Sequence, residues 1–243
     1  MKRTLGFLSA GLMLAASAQA AHLSLIVTGM FDGPLTGGVP KVVELFAVED
    51  IPDLGKWAIG AANNGGGTDG AETILSGSAS AGDFLYVVDG GFDTFAAYFG
   101  FTPDLIFDGS FDTGGGAAAI NGDDAIEVFF DNDMDGDFAT SVVGDVFGDI
   151  NVDGTGQPWD HLDGWAYRND FTSATDPDND PTTPSPFVLS DWSFSGVDAN
   201  DGKTENTGAN AFPIGSFTPI PEPAAAGLAL VSLAAVAARG RRG

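Results

Sequence analysis

The chain of 243 residues contains no cysteine. No disulfide can staple the fold, and no thiolate is present to act as a nucleophile or soft metal ligand. Histidine is almost as scarce, with only His22 and His161, which excludes a zinc site built on imidazole and thiolate. Any metal is expected to be a hard cation held by oxygen. Positive charge is the third shortage: nine Lys and Arg stand against 34 Asp and Glu, for a net charge of −25. Five of the nine sit near the ends, so residues 21–220 keep Lys41, Lys56, Arg168 and Lys203 beside every acidic residue except Glu222. A body so anionic repels phosphate backbones and anionic lipid surfaces, which argues against nucleic acid as a partner. Divalent cations and neutral polysaccharide remain compatible with it. The nucleophile elbow Gly-x-Ser-x-Gly is missing too. The stretch Asn63-Asn64-Gly65-Gly66-Gly67-Thr68-Asp69-Gly70 is Gly-rich but lacks the lysine of a phosphate loop. It reads as a flexible turn.

What is present is concentrated first at the two ends. Lys2 and Arg3 precede an apolar segment over 5–16, and Ser17-Ala18-Gln19-Ala20 supplies a small-x-small site. This is the pattern of a secretory signal peptide, with cleavage expected after Ala20 by signal peptidase once the translocon has engaged the segment. A membrane anchor left uncleaved is the alternative. At the other end Pro221-Glu222-Pro223 leads into an apolar run over 224–238, followed by Arg239, Arg241 and Arg242. The run spans 15 residues, short of the roughly 17–25 that a stable transmembrane helix needs. The arginines favour the cytoplasmic side for its far end.

These three parts, in this order, resemble the PEP-CTERM sorting signal of exported bacterial proteins. The resemblance covers the last 23 residues and implies recognition and removal of the tail by a membrane-embedded exosortase. It also implies only transient retention in the inner membrane, and a final place in a surface matrix or biofilm associated with exopolysaccharide. The chain departs from the family pattern in having Ala224-Ala225-Ala226 where a Ser or Thr usually follows the motif. A plain tail anchor is the alternative reading.

Between the ends the periodicity is that of strands. Leu23-Ser24-Leu25-Ile26-Val27-Thr28, Val42-Val43-Glu44-Leu45-Phe46-Ala47-Val48, Phe84-Leu85-Tyr86-Val87-Val88, Ala125-Ile126-Glu127-Val128-Phe129-Phe130 and Val142-Val143-Gly144-Asp145-Val146-Phe147 are short and rich in β-branched or aromatic residues. Clusters of Gly, Asp, Asn or Pro bound each one. Residues 57–59 make a weaker sixth. A single short helix is expected over 94–100, where Phe95, Tyr98 and Phe99 share one side. Many short strands joined by Gly/Asp-rich turns predict an all-β sandwich. The expected organisation is a signal peptide over 1–20, one sandwich over 21–217, and a linker with the sorting tail over 218–243.

The order Ile26-Val27-Thr28-Gly29, Val42-Val43-Glu44-Leu45-Phe46, then Asp53-Leu54-Gly55-Lys56-Trp57-Ala58-Ile59-Gly60 resembles a lamin-tail domain. Asn121-Gly122-Asp123-Asp124-Ala125-Ile126-Glu127-Val128 and Asp145-Val146-Phe147-Gly148 are similar to its closing hairpin. The resemblance implies an immunoglobulin-like β-sandwich serving as a non-catalytic module. The chain departs from it by the Gly-rich insertion at 61–70 and by an extension past residue 150. The extension reads as part of the same domain, with its aromatics closing one edge or end, and a Pro- and Asp-rich surface loop over 176–186.

Two clusters carry chemistry. In Asp131-Asn132-Asp133-Met134-Asp135-Gly136-Asp137, oxygen ligands at alternate positions followed by Gly match the first half of a calcium loop. Asp131, Asp133, Asp135 and Asp137 are the candidate ligands for Ca2+. Val142 stands where the bidentate Glu of such a loop is expected, and a solvated turn between two strands is the plainer reading. Around Trp159, Asp160, His161, Asp163, Trp165, Tyr167 and Arg168, the aromatics Trp159 and Trp165 are candidate glycan contacts, and an Asp pair could serve a glycosidase. The plainer reading is that Trp and Tyr fill a core edge while Arg168 pairs with a neighbouring Asp. The expectation is thus a non-enzymatic exported surface or matrix protein, binding calcium or polysaccharide. The alternative is a secreted hydrolase of polysaccharide or phosphoesters, or its accessory subunit, in which Asp160 or Asp163 lines a cleft with a raised pKa.

Overall fold

In the computed structural model, residues 24–68, 70–169 and 187–219 are described. The expected signal peptide, His22, the loop over 176–186 and the sorting motif of Pro221, Glu222, Pro223, Arg239, Arg241 and Arg242 lie outside the described residues. Ten strands and one α-helix occur among the described residues: β1 (Leu25–Phe31), β2 (Lys41–Ala47), β3 (Trp57–Ala62), β4 (Thr73–Ile74), β5 (Phe84–Asp89), α1 (Phe92–Phe99), β6 (Ile106–Asp108), β7 (Ala125–Phe130), β8 (Val142–Phe147), β9 (Trp165–Arg168) and β10 (Trp192–Phe194). They form a two-sheet β-sandwich. The large sheet runs β10-β9-β1-β2-β5-β6 and the small one β4-β3-β7-β8.

Strand alternation sends Leu25, Val27, Val43, Leu45, Leu85 and Val87 from the large sheet inward, against Trp57, Ile59, Ile126, Val128 and Phe130 of the small one. The intervening residues Ile26, Phe31, Val42, Phe46, Tyr86 and Val88 point outward, yet they are buried as well, in a second aromatic cluster with Phe95, Tyr98, Phe212 and Phe217. Both faces of the large sheet are therefore covered. That is why β1 and β2 read as nearly unbroken apolar runs instead of alternating ones.

The outer cover has two sources. The strands β5 and β6 are parallel, so the chain must cross over between them, and α1 makes that crossing with Phe95 and Tyr98 turned onto the sheet. The coil over 206–217 supplies the rest. Its Phe212 ring presses on Gly29, where a side-chain carbon would stand 2.6 Å from the ring, so only glycine admits the coil here. Beside Gly29 the register of β1 against β2 shifts, and Thr28 is the extra residue of a bulge.

The extension adds β9 and β10 to the free edge of β1. The Gly-rich insertion folds back on the small sheet: a side-chain carbon at Gly60 would stand 2.1 Å from the Gly70 carbonyl oxygen. Its Asn64 N–H donates to Asp124 (2.8 Å) and its Gly67 N–H to the Ile150 carbonyl (2.8 Å). The stretch expected to be a flexible turn is thus tied down at both of these amides.

Candidate functional site

The Asp-rich run lies in the connection between β7 and β8. Asp131 directly follows the last residue of β7 and is buried, while Asp133 and Asp135 are exposed. Their carboxylates offer oxygens within 4.8 Å of one another, close enough to share one hard cation. Asp131 accepts the Met134 N–H and the Gly136 N–H, both at 2.9 Å, so the loop wraps around it. Burial opposes ionisation of Asp131, but these hydrogen bonds, Gly136 foremost, outweigh it and hold the carboxyl below its ordinary range. Asp133 accepts the Thr140 hydroxyl at 2.9 Å. Asp137 stands outside the group. Its Oδ1 accepts the Ala139 N–H at 2.9 Å and caps the short helical turn that leads to β8.

A second acidic group is not local in sequence. Asp163, Asp198 and Asp201 also bring oxygens within 4.8 Å of one another. The loop carrying Asp198 is pinned by its own N–H to the Leu162 carbonyl (2.8 Å), and the Asn200 N–H reaches the Asp163 carbonyl (2.9 Å). Burial pushes the Asp163 carboxyl up, with the nearby Asp32 carboxylate adding to the effect. The sequence shows Asp163 only as a candidate acid or base. Its partners arrive from a distant loop with no ligand spacing linking them, so no local signal announced the group.

The aromatic cluster divides. Trp159 is 5% exposed, with its ring edge-on to Phe147 at 5.9 Å and Gly154 beneath it. So enclosed, the ring packs as part of the core, where its apolar surface is worth more than in water. Trp165 is half-buried, with its indole N–H donating to the Asn210 carbonyl at 3.0 Å. Asp160 uses both oxygens locally, accepting the Gly156 N–H (2.7 Å) and the Leu162 N–H (3.1 Å). His161 is completely buried, its Nδ1 3.1 Å from the Trp159 carbonyl and its ring against Phe147. Burial lowers its pKa and keeps the ring neutral.

Two buried ion pairs organise the rest of the body. Arg168 on β9 meets Asp145 on β8 at 2.6 Å, and the same Asp145 oxygen accepts the Val27 N–H of β1 at 2.8 Å. The pair therefore links the two sheets at Val27, which pairs with β2 but lies beyond the residues of β1 that pair with β9, and the guanidinium lies 4.9 Å from the Trp192 ring centre. The neighbouring Asp expected for Arg168 is a neighbour in space, not in sequence. Lys41 meets Asp32 at 2.7 Å, and Asp32 also accepts the Asp163 N–H at 3.1 Å. No protein-family model matches the chain, and neither does any of the curated proteins or solved structures compared with it.

Proposed function

We propose that this is an exported, non-enzymatic surface or extracellular-matrix protein. It passes the secretory translocon and signal peptidase, and an exosortase then processes its tail. The single observation that carries the reading is the tail itself: Pro221-Glu222-Pro223, a 15-residue apolar run and three arginines. The body is proposed as a lamin-tail-like, immunoglobulin-type sandwich. In support, β1, β2, the Asp53-capped turn and β3 follow in the family's order, with β7 and β8 as the closing hairpin. Calcium is assigned to Asp131, Asp133 and Asp135, and exopolysaccharide remains the proposed surrounding of the mature protein, with Trp165 as its aromatic contact.

The decisive measurement is the intact mass of the protein recovered from outside its native host's cells. A C-terminus at Pro221 to Pro223 is expected. A chain running to Gly243 would overturn the sorting reading. For calcium, the melting temperature should rise with millimolar calcium over chelator, the ion adding about 2.7 kcal/mol of folding stability when it is at a hundred times its Kd. Identical curves would remove the metal from the proposal.

One observation favours the hydrolase alternative: Asp163 is a carboxyl pushed up by burial, as a general acid would be. Turnover on a panel of polysaccharides and phosphoesters that Asp163→Asn abolishes would replace the proposal with that reading.

A further inference from the structure

Glu44 lies in the middle of β2 on the outer face of the large sheet, 0% exposed. Its Oε1 accepts the Thr28 hydroxyl (2.8 Å) and the Tyr167 hydroxyl (2.9 Å), and its Oε2 accepts the Gly215 N–H (2.7 Å). These three partners are all uncharged. The Tyr167 oxygen in turn accepts the N–H groups of Ser216 (3.0 Å) and Phe217 (2.8 Å). Three consecutive amides of the C-terminal coil thus end on two side chains of the sheet. None of the strand pairings among the described residues includes this coil, so no ladder holds it.

The coil is secured separately on its N-terminal side. Asn206 accepts the Phe212 N–H (2.7 Å) and donates to the Phe212 carbonyl (2.9 Å), and the Phe212 ring packs on Phe31 and Tyr167. Beyond Phe212 the apolar anchors are Ile214, half-buried against the same cluster, and Phe217, edge-on to Phe46 at 5.2 Å.

We propose that residues 213–217 form a latch on the outer face of the large sheet, closed through the Glu44–Tyr167 pair and released when Glu44 ionises. A carboxylate buried without a cation is poorly solvated, and three neutral donors offset that only in part. Burial pushes the Glu44 carboxyl up to about 7 despite them. Once the coil lifts, water reaches the group and its pKa returns toward the ordinary 4.5.

The titratable groups that face Glu44 are Tyr86, its cross-strand neighbour on β5, and Tyr167 on β9. Burial, and then the Glu44 charge, pushes both phenols upward, so neither ionises in this range. Thr28 and Gly215 carry no titratable group. Because the closed-state carboxyl is raised, closure is fully supported below pH about 4.5. That support is lost as pH rises through about 7. Across the interval the ratio of closed to open falls on the order of 10²-fold.

The test is amide hydrogen exchange on the full chain at pH 5 and pH 8.5, normalised to intrinsic rates. Protection at Gly215, Ser216 and Phe217 should fall on the order of 10²-fold at the higher pH, while Leu45 and Val128 keep theirs. Glu44→Gln, which retains an acceptor without charge, should keep the coil protected with no pH dependence. The same pH dependence in that variant, or flat protection in the unaltered chain, overturns the latch. Should the variant fail to fold, a carbon-13 titration of the Glu44 carboxyl in the unaltered chain decides. A midpoint near 7 coinciding with loss of protection supports the latch. A midpoint near 4.5, or protection lost at another pH, overturns it.

Discussion

The two faces of the large sheet are both buried, but by different means. Inward, aliphatic residues such as Leu45 and Leu85 meet Ile59 and Val128, and backbone ladders hold both layers. Outward, the cover is one short helix and a coil, and the contacts are between aromatic rings, Phe31 with Phe212 and Phe46 with Phe217 among them. Removing the inner layer means breaking a second sheet. Removing the coil means breaking a few side-chain hydrogen bonds. Equal burial therefore does not mean equal cooperativity, because ladders couple neighbours that isolated contacts leave independent.

The largest effect should come from Phe147→Ala. Its ring is fully buried among Trp159, Phe187 and Trp192, and truncation should cost about 3–5 kcal/mol, read as a shift in the denaturant midpoint of the whole domain. Phe217→Ala on the outer face should shift that midpoint less and expose the coil amides first. Equal global shifts would erase the distinction between the faces.

Next comes the link between the sheets. Asp145→Ala leaves the Arg168 charge buried and the Val27 N–H without its acceptor, at a cost of about 3 kcal/mol. Replacing both ionic partners with leucine should cost less than the single change, since it removes the buried charge along with its Asp145 partner. A double variant worse than the single one would show that the pair is net stabilising.

The faces also carry opposite pH signatures. Glu44 contributes stability that is present below pH about 4.5 and lost through about 7, worth about 3 kcal/mol at 1.4 kcal/mol per pH unit. His161, beside Phe147, has its pKa lowered, so its contribution is intact above its ordinary 6.5 and is lost as pH falls. Chemical denaturation of Glu44→Gln from pH 4 to 8 should lack the decline toward neutral pH and keep the acid-side loss. A parallel profile would remove Glu44 from the account.

The smallest effect lies away from both faces. Asp137→Ala should cost about 1 kcal/mol through its lost cap and leave any calcium-induced rise in melting temperature unchanged. Loss of that rise would place Asp137 among the ligands.

The strands of the double-ladder core were legible in the sequence. The pattern of residues 125–130 and 142–147 predicts strands, and these are β7 and β8, because an apolar run bounded by Gly and Asp suits a buried ladder. Shorter strands were not. β4 has two residues, and β6 and β10 three each, too few for any period to register. β9 was visible only as an aromatic cluster with Arg168. The Asp131 loop announced itself because its carboxylates alternate along a few residues. The Asp163 group did not, since Asp198 and Asp201 come from a separate loop.

Composition and local pattern alone determined that no thiol chemistry and no thiolate-bound zinc site is available, that the body is strongly anionic, and that strands dominate it. Each follows from residue identity or from short-range periodicity. Only the tertiary structure decided that Glu44 is buried among tyrosines, that Trp159 belongs to the core, and that Arg168 meets Asp145. Burial and pairing depend on which distant segments arrive at a residue. Those arrivals are set by the packing of two sheets and a covering coil, which no local window contains.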